Sequence, residues 1–228
     1  MKKVIVVVGY GPGISKAVAE KFGAEGFAVA LVARNKERLE AGVRALKEKG
    51  IEAAGVPSDA GKPAEIAAAI ASARKALGPI ASVQWNAYGA VGGDVTTASL
   101  DEVRGIFDVA VVGLVAALQA ALPDLKARKG SLLVTNGSLG LFDPAFDKGA
   151  VGWGAMGLAM ANSAKHKLAG MLSVKLAPEG VYVGEVMVNG AVKGTASDNG
   201  SATIAPATVA NAFWKLQQER TEVFTTIA

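Results

Sequence analysis

Val4-Ile5-Val6-Val7-Val8-Gly9-Tyr10-Gly11-Pro12-Gly13-Ile14-Ser15 is the stretch on which the reading of the fold turns. Its unbroken β-branched run has no polar face, so it reads as a strand covered on both sides, as in a parallel sheet. Three glycines then let the backbone turn tightly and approach a ligand with no Cβ in the way. From Ile14 to Glu25 apolar residues recur at helical spacing (Ile14, Val18, Phe22), and Gly26 stops the helix. Strand, glycine turn and helix start together build a phosphate site, with free N–H groups and the positive end of the helix dipole aimed at an anion. The expected cradle is the backbone of Gly9, Tyr10, Gly11, Gly13 and Ile14.

The same alternation continues along the chain. Further strands are expected at Phe27–Ala33, Ile51–Val56, Ile80–Trp85, Ser131–Thr135, Val181–Val188 and Glu222–Ile227. Helices are expected at Glu37–Lys49, Pro63–Leu77, Leu100–Arg128, Met156–Leu176 and Pro206–Gln217, with a loop of Gly, Asp and Pro residues before Met156. No linker, repeat or low-complexity tract interrupts this order, so residues 1–228 read as one domain. Strands separated by helices predict an α/β fold, a three-layer doubly wound parallel sheet of about seven strands with helices on both faces. Ligands then bind beyond the carboxyl ends of the strands, near the switch point.

Composition narrows the chemistry. The chain has no cysteine and one histidine, His166, which excludes disulfides, thiolate metal sites and histidine-rich metal sites, and fits a reducing cytoplasm. The net charge of +4 is scattered, and the small basic groups Lys2-Lys3 and Lys126-Ala127-Arg128-Lys129 are not interleaved with aromatics, so no nucleic-acid surface is expected. The apolar run after Lys3 breaks at Gly9 and Pro12, too early for a signal peptide. The run Val109–Leu122 carries Gln119 between Asp108 and Asp124; it reads as a buried helix rather than a membrane span.

A second cofactor signal lies at the end of the second strand, Val32-Ala33-Arg34-Asn35. An acid about 20 residues after the glycine turn holds the ribose 2′-hydroxyl of NAD. Here Arg34 and Asn35 stand in that region with no carboxylate, and a guanidinium forks onto a 2′-phosphate. NADP(H) is expected over NAD(H).

Nearly end to end, the chain resembles the short-chain dehydrogenase/reductase family, whose members carry the Rossmann fold. Gly9, Gly13 and Ile14 match its Gly-x-x-x-Gly-x-Gly turn, with Ser15 in place of the last glycine. The resemblance implies that Asp59 meets the adenine amino group and that Asn86-Ala87, followed by Tyr88, forms the cofactor turn after strand four. It implies that Ser138 is the catalytic serine. It also implies that Asn189-Gly190-Ala191-Val192 passes the nicotinamide, where the family has a Pro-Gly-containing loop, and that Thr195 touches the cofactor.

The departures concern chemistry. The family's Tyr-x-x-x-Lys pair places a phenol and an ammonium one helical turn apart, and the lysine makes the phenol a better proton carrier. This chain has only Tyr10, Tyr88 and Tyr182, none four residues before a lysine. In one alignment Ala161 and Lys165 take the two places; without a gap, Leu158 and Asn162 do. Ala110 stands where the family carries the asparagine of its proton relay.

Two readings follow. One is an atypical NADP(H)-dependent oxidoreductase in which Ser138 polarises a carbonyl, Lys165 fixes the ribose, and His166, Tyr88, water or Lys165 replaces the proton donor. The other is an NADP(H)-binding protein without catalysis. A serine hydrolase is excluded by the lack of a partner dyad and of a nucleophile elbow around Ser138. Loops containing Val91, Leu141, Phe142, Phe146, Trp153 and Ile204 suggest a small apolar substrate, and the small apolar residues of the two long helices fit a homodimer or homotetramer.

Overall fold

The apolar runs form seven strands: β1 (Lys3–Val8), β2 (Phe27–Ala33), β3 (Ala53–Pro57), β4 (Ile80–Trp85), β5 (Ser131–Gly137), β6 (Tyr182–Val188) and β7 (Phe224–Ile227). The computed structural model describes residues 2–89, 93–195 and 198–228. The strands lie in one sheet in the order β3-β2-β1-β4-β5-β6-β7, and every pairing is parallel. Chain order reverses between β1 and β4, which places the switch point beside the glycine turn.

Helices cover both faces. They are α1 (Ile14–Ala24), α2 (Lys36–Glu48), α3 (Pro63–Leu77), α4 (Leu100–Phe107), α5 (Gly113–Arg128), α6 (Pro144–Gly152), α7 (Met156–Leu176) and α8 (Pro206–Glu219). Alternate residues of a strand face opposite sides. Val4, Val6 and Val8 therefore join Ile66 and Ile70 of α3 and Leu114 and Leu125 of α5. Ile5 and Val7 join Phe22 of α1, Leu39 of α2 and Phe213 of α8.

Two features differ from the sequence expectation. The segment before Met156 is not all loop: Asp143 accepts a hydrogen bond from the Ala145 amide at 2.7 Å, Pro144 follows at the first helical turn, and α6 results. The helix expected at Leu100–Arg128 contains a widened turn at Asp108–Val112, where the Gly113 amide donates to the Asp108 carbonyl five residues back. A Cβ on Gly113 would lie 2.1 Å from the Ala60 carbonyl oxygen, so glycine lets α5 begin hard against the loop after β3. The stretch Leu100–Arg128 is long and apolar enough to cross a membrane, yet Leu114, Ala117, Leu118, Ala121 and Leu125 are buried against the sheet.

Polar groups also bridge the middle strands. Ser82 and Ser131 share a hydrogen bond of 2.8 Å across β4 and β5, and Gln84 donates to Thr135 at 2.8 Å. On the other side of β1, Phe22 packs edge-on against Phe27 at 5.3 Å and Trp214 at 5.2 Å, and is wholly buried. Phe22→Ala is expected to destabilise the fold by about 3–5 kcal/mol through lost burial and a cavity, measured from urea unfolding at constant slope.

Candidate functional site

The loop leaving β1 is tied to its neighbours on both sides. The Gly9 and Tyr10 amides donate to the Val32 carbonyl at 2.9 and 3.0 Å, and the Asn86 amide donates to the Val8 carbonyl at 2.8 Å. Gly9 has φ 83°, and a Cβ there would stand 2.5 Å from the Ala87 nitrogen. Gly13 has φ 85°, and a Cβ there would stand 2.4 Å from the Thr195 methyl carbon. Only glycine meets both requirements at these two positions. No side chain caps the start of α1. Its first-turn amides and dipole therefore face the cleft, and the cradle fits a pyrophosphate that added side chains would displace.

Ser15 takes a role that sequence reading did not assign. It is fully buried, and its hydroxyl accepts from the Gly11 amide at 2.9 Å and donates to the Gly11 carbonyl at 3.2 Å. This clasp sets the loop's curvature. The Tyr10 ring is buried where a Cβ of Gly42 would otherwise lie, anchoring the loop to α2. Burial, with Glu20 nearby, pushes its phenol pKa up.

At the end of β2, Arg34 is exposed and Asn35 caps α2, its side chain accepting from the Arg38 amide at 2.8 Å. That cap turns Arg38 toward the glycine loop: its Nη1 lies 3.7 Å from the Cβ position of Gly11. Arg38 was not visible as a site residue in the sequence, because the proximity depends on how α2 is capped. Asp59 accepts from the Gly61 amide at 3.0 Å in the turn after β3.

On the far side of the cleft, Val192 bridges to Ile204, and the Thr195 hydroxyl donates to the Val192 carbonyl at 2.7 Å. Ile204, expected to line a pocket, is 5% exposed and packs beneath Gly190. Phe142 and Trp153 are exposed, Leu141 and Phe146 half-buried, and Val91 lies outside the described residues.

Ser138 follows β5 and Asn189 follows the neighbouring β6; the Ser138 hydroxyl donates to the Asn189 side-chain oxygen at 2.7 Å. The part of α7 against Ser138 is Asn162. Its Nδ2 stands 2.9 Å from the Cβ position of Gly137, and Ser163 donates to the Gly140 carbonyl at 2.7 Å.

Lys165 and His166 meet β5 and β6 before the ends of these strands, Lys165 buried and His166 half-buried. The Lys165 ammonium is buried and donates to the Thr135 carbonyl at 3.2 Å, three residues before Ser138. The His166 Nδ1 meets the fully buried Glu185 carboxylate at 2.5 Å, and its ring is edge-on to Phe224 at 5.2 Å. Glu185 sits three residues before Val188, about 10 Å down the strand. The structure thus brings Ser138 together with Asn162 and Asn189, and sets His166 in a groove of about 640 Å³ between α7 and β7. Asn136 links the two levels: its Nδ2 donates to Glu185 at 2.5 Å and to the Asn162 carbonyl at 3.0 Å, while its oxygen accepts from the Gly137 amide at 3.0 Å.

The remaining tyrosines are elsewhere. Tyr182 donates to the Glu222 carbonyl at 2.6 Å, its pKa pushed up to about 12 by burial, and Tyr88 is 58% exposed after β4. Ala110 is buried against Ile106 and Ala161.

Comparison with known proteins agrees with this geometry. Residues 3–200 match the family model described as short chain dehydrogenase. An uncharacterised oxidoreductase of Staphylococcus aureus strain MRSA252 is 27% identical over 213 residues, covering 92% of this chain and 88% of that one. The meso-2,3-butanediol dehydrogenase of Serratia marcescens is 30% identical over 184 residues, 81% of this chain and 69% of that one. Among solved structures, a metagenomic short-chain oxidoreductase in complex with NADP superposes with a TM-score of 0.80 at 25% identity, covering 99% of this chain and 95% of that one.

The buried ammonium has a measurable signature. Burial lowers the Lys165 pKa from 10.5 to about 8, partly opposed by Glu185. Between pH 8 and 10.5 the unfolded chain therefore binds the extra proton, so this residue's contribution to stability rises with pH in that window and is flat below it. Urea unfolding at pH 7.5 and 10 is expected to show this gain, up to roughly 3 kcal/mol, in the native chain relative to Lys165→Met. An identical pH dependence in the two would refute the charged, buried lysine.

Proposed function

The chain belongs to the short-chain dehydrogenase/reductase family, and from that premise we propose that it is an NADP(H)-dependent oxidoreductase acting on a small apolar carbonyl or alcohol substrate, with a non-standard source of the proton. The observation that carries the cofactor choice is the Arg38 guanidinium at the glycine loop. Arg38 sits beside Gly11, Arg34 follows β2 in sequence, and no carboxylate stands at the end of β2. The complex of the similar metagenomic oxidoreductase with NADP supports the same choice.

In this reading the backbone of Gly9, Tyr10, Gly11, Gly13 and Ile14 binds the pyrophosphate. Arg34, Asn35 and Arg38 receive the 2′-phosphate, and Asp59 receives the adenine. Asn86, Ala87 and Tyr88, with Gly190, Val192 and Thr195, hold the nicotinamide half. The cofactor supplies hydride chemistry when bound. The Ser138 hydroxyl then fixes the substrate oxygen, and Asn189 orients that hydroxyl. Lys165 adds positive charge from below the floor of the site. His166 is paired with Glu185 in the groove between α7 and β7, and this reading gives it no proton-donor role.

A specific observation favours the second reading, an NADP(H)-binding protein without turnover. Asn162, not Lys165, flanks Ser138, which suits the ungapped alignment in which Leu158 and Asn162 replace the tyrosine and lysine. Two measurements separate the readings. Calorimetry is expected to show NADPH binding tighter than NADH, with Arg34→Ala and Arg38→Ala each weakening NADPH roughly tenfold or more and leaving NADH unchanged. Nicotinamide absorbance with aldehydes, ketones and quinones is expected to show turnover that Ser138→Ala reduces at least ~100-fold in kcat. Binding without turnover on any of them supports the second reading. Light scattering at micromolar concentration is expected to give a dimer or tetramer, and a monomer refutes the homo-oligomer.

A further inference from the structure

Three side chains beneath Ser138 take no part in the chemistry proposed above, yet they form one connected set. Asn136 is joined to Glu185, and Glu185 to His166. Asn136 is buried, Glu185 is completely buried, and His166 opens onto the groove between α7 and β7. The orientation of the Asn136 carboxamide is fixed by two backbone groups that cannot exchange roles. The Gly137 amide can only donate, and it donates to the Asn136 oxygen at 3.0 Å. The Asn162 carbonyl can only accept, and it accepts from the Asn136 Nδ2 at 3.0 Å. The same Nδ2 also donates to Glu185 Oε1, so that oxygen has to be an acceptor.

A buried carboxyl group left to itself takes up a proton, and either oxygen can carry it. A proton on Oε1 would set two donors face to face and turn Asn136 away from its backbone partners. His166 removes that choice. Its Nδ1 meets the other oxygen, Oε2, so one proton is shared at that contact whichever partner holds it, and Oε1 remains an acceptor. The charged neighbours are differently engaged. Lys165 acts on Glu185 at a distance, but its ammonium is on the Thr135 carbonyl. Lys167 lines the groove, and the groove residues from the β7 side are the uncharged Val223 and Phe224. Glu222, just before them, acts on Tyr182.

We propose that His166 and Glu185 are positioning residues for Ser138: they confine their shared proton to the groove side of the carboxyl group, and this holds Asn136 and the backbone beside Ser138 in one arrangement. The inference rests on the oxidoreductase reading for the purpose of that arrangement. The held parts are the Gly137 amide, directly before Ser138, and the Asn162 carbonyl on α7. They meet where the Asn162 Nδ2 stands 2.9 Å from the Cβ position of Gly137. His166 serves here as a hydrogen-bond partner of Glu185 and touches neither substrate nor cofactor.

Three variants test this. His166→Asn keeps a side-chain N–H donor near the place of Nδ1 but cannot titrate. His166→Leu leaves Oε2 without a partner. Glu185→Gln fits with its oxygen toward Asn136 and its NH2 toward an unprotonated Nδ1, and fails once acid places a second proton on the imidazole, so that two donors meet. The first measurement needs no turnover: the NMR signal of the Gly137 amide, with Asn136→Ala as the reference for its release. The signal is expected to match the native one in His166→Asn and to move toward the reference in His166→Leu. In Glu185→Gln it is expected to be native-like at pH 8 and to move reversibly toward the reference at pH 5.5, while the native chain holds its signal at both. A Gly137 signal unmoved by His166→Leu overturns the proposal. So does one indifferent to pH in Glu185→Gln, which decides the matter if His166→Leu does not fold. The second measurement is NADPH oxidation with whichever of the aldehydes, ketones and quinones turns over. His166→Leu is expected to lower kcat roughly tenfold or more with NADPH affinity unchanged. His166→Asn is expected to restore kcat, with a pH profile that superimposes on the native one. A limb of the native profile that vanishes in His166→Asn assigns proton transfer to the imidazole and overturns the proposal. The expected Gly137 signals in a chain that turns over none of these compounds overturn the oxidoreductase reading and leave the arrangement standing.

Discussion

Gly9 lies so close to Ala87 that no side chain fits between them, and the organisation of the cleft depends on that contact. It joins the loop after β1 to the turn after β4 at the point where strand order reverses. The loop is held from the other side by the Val32 carbonyl and from within by the Ser15 clasp. With three fixings the backbone amides are preorganised, and anion binding does not have to order a free loop. The approach of Thr195 to Gly13 extends the same logic across the cleft.

Beneath the cleft a buried polar layer supports the wall that carries Ser138. Glu185 is completely enclosed and is met by Asn136 and His166 at 2.5 Å each. A buried carboxylate is tolerated when its oxygens are paired, and removing one partner leaves an expensive charge. Through Asn136 the layer also reaches the Gly137 amide and the Asn162 carbonyl, immediately beside Ser138. The backbone beside the Ser138 hydroxyl is therefore braced from below by side chains that have no hydrogen bond to it.

How much of this was legible in the sequence depends on range. The strands were readable because Val4–Val8 and its counterparts are continuous apolar runs, and the turn after β1 because its glycines are contiguous with the strand. The clasp by Ser15, the return of Arg38 to Gly11 and the junction of Asn136 with Glu185 were not. They depend on hydrogen bonds and helix caps that bring distant or differently oriented side chains together. The register of α7 was ambiguous because Asn162 and Lys165 occupy nearly the same helix face, and only packing against Gly137 and Gly140 shows which one is level with Ser138. Helix α6 was signalled by Asp143-Pro144, but the surrounding glycines masked the start.

The polar bridges between the middle strands solve a problem that their apolar neighbours create. A strand covered on both faces is nearly as greasy after sliding along its partner as before, so oiliness alone does not fix alignment. Ser82 against Ser131, Gln84 against Thr135 and Asn136 against Glu185 act as graduations on a ruler. An offset between β4 and β5 would separate the first two couples, and one between β5 and β6 the third, leaving their polar atoms without partners in the dry interior. The few hydrophilic residues inside this sheet thus measure its strands against one another, and keep Ser138 and Asn189 level at the rim.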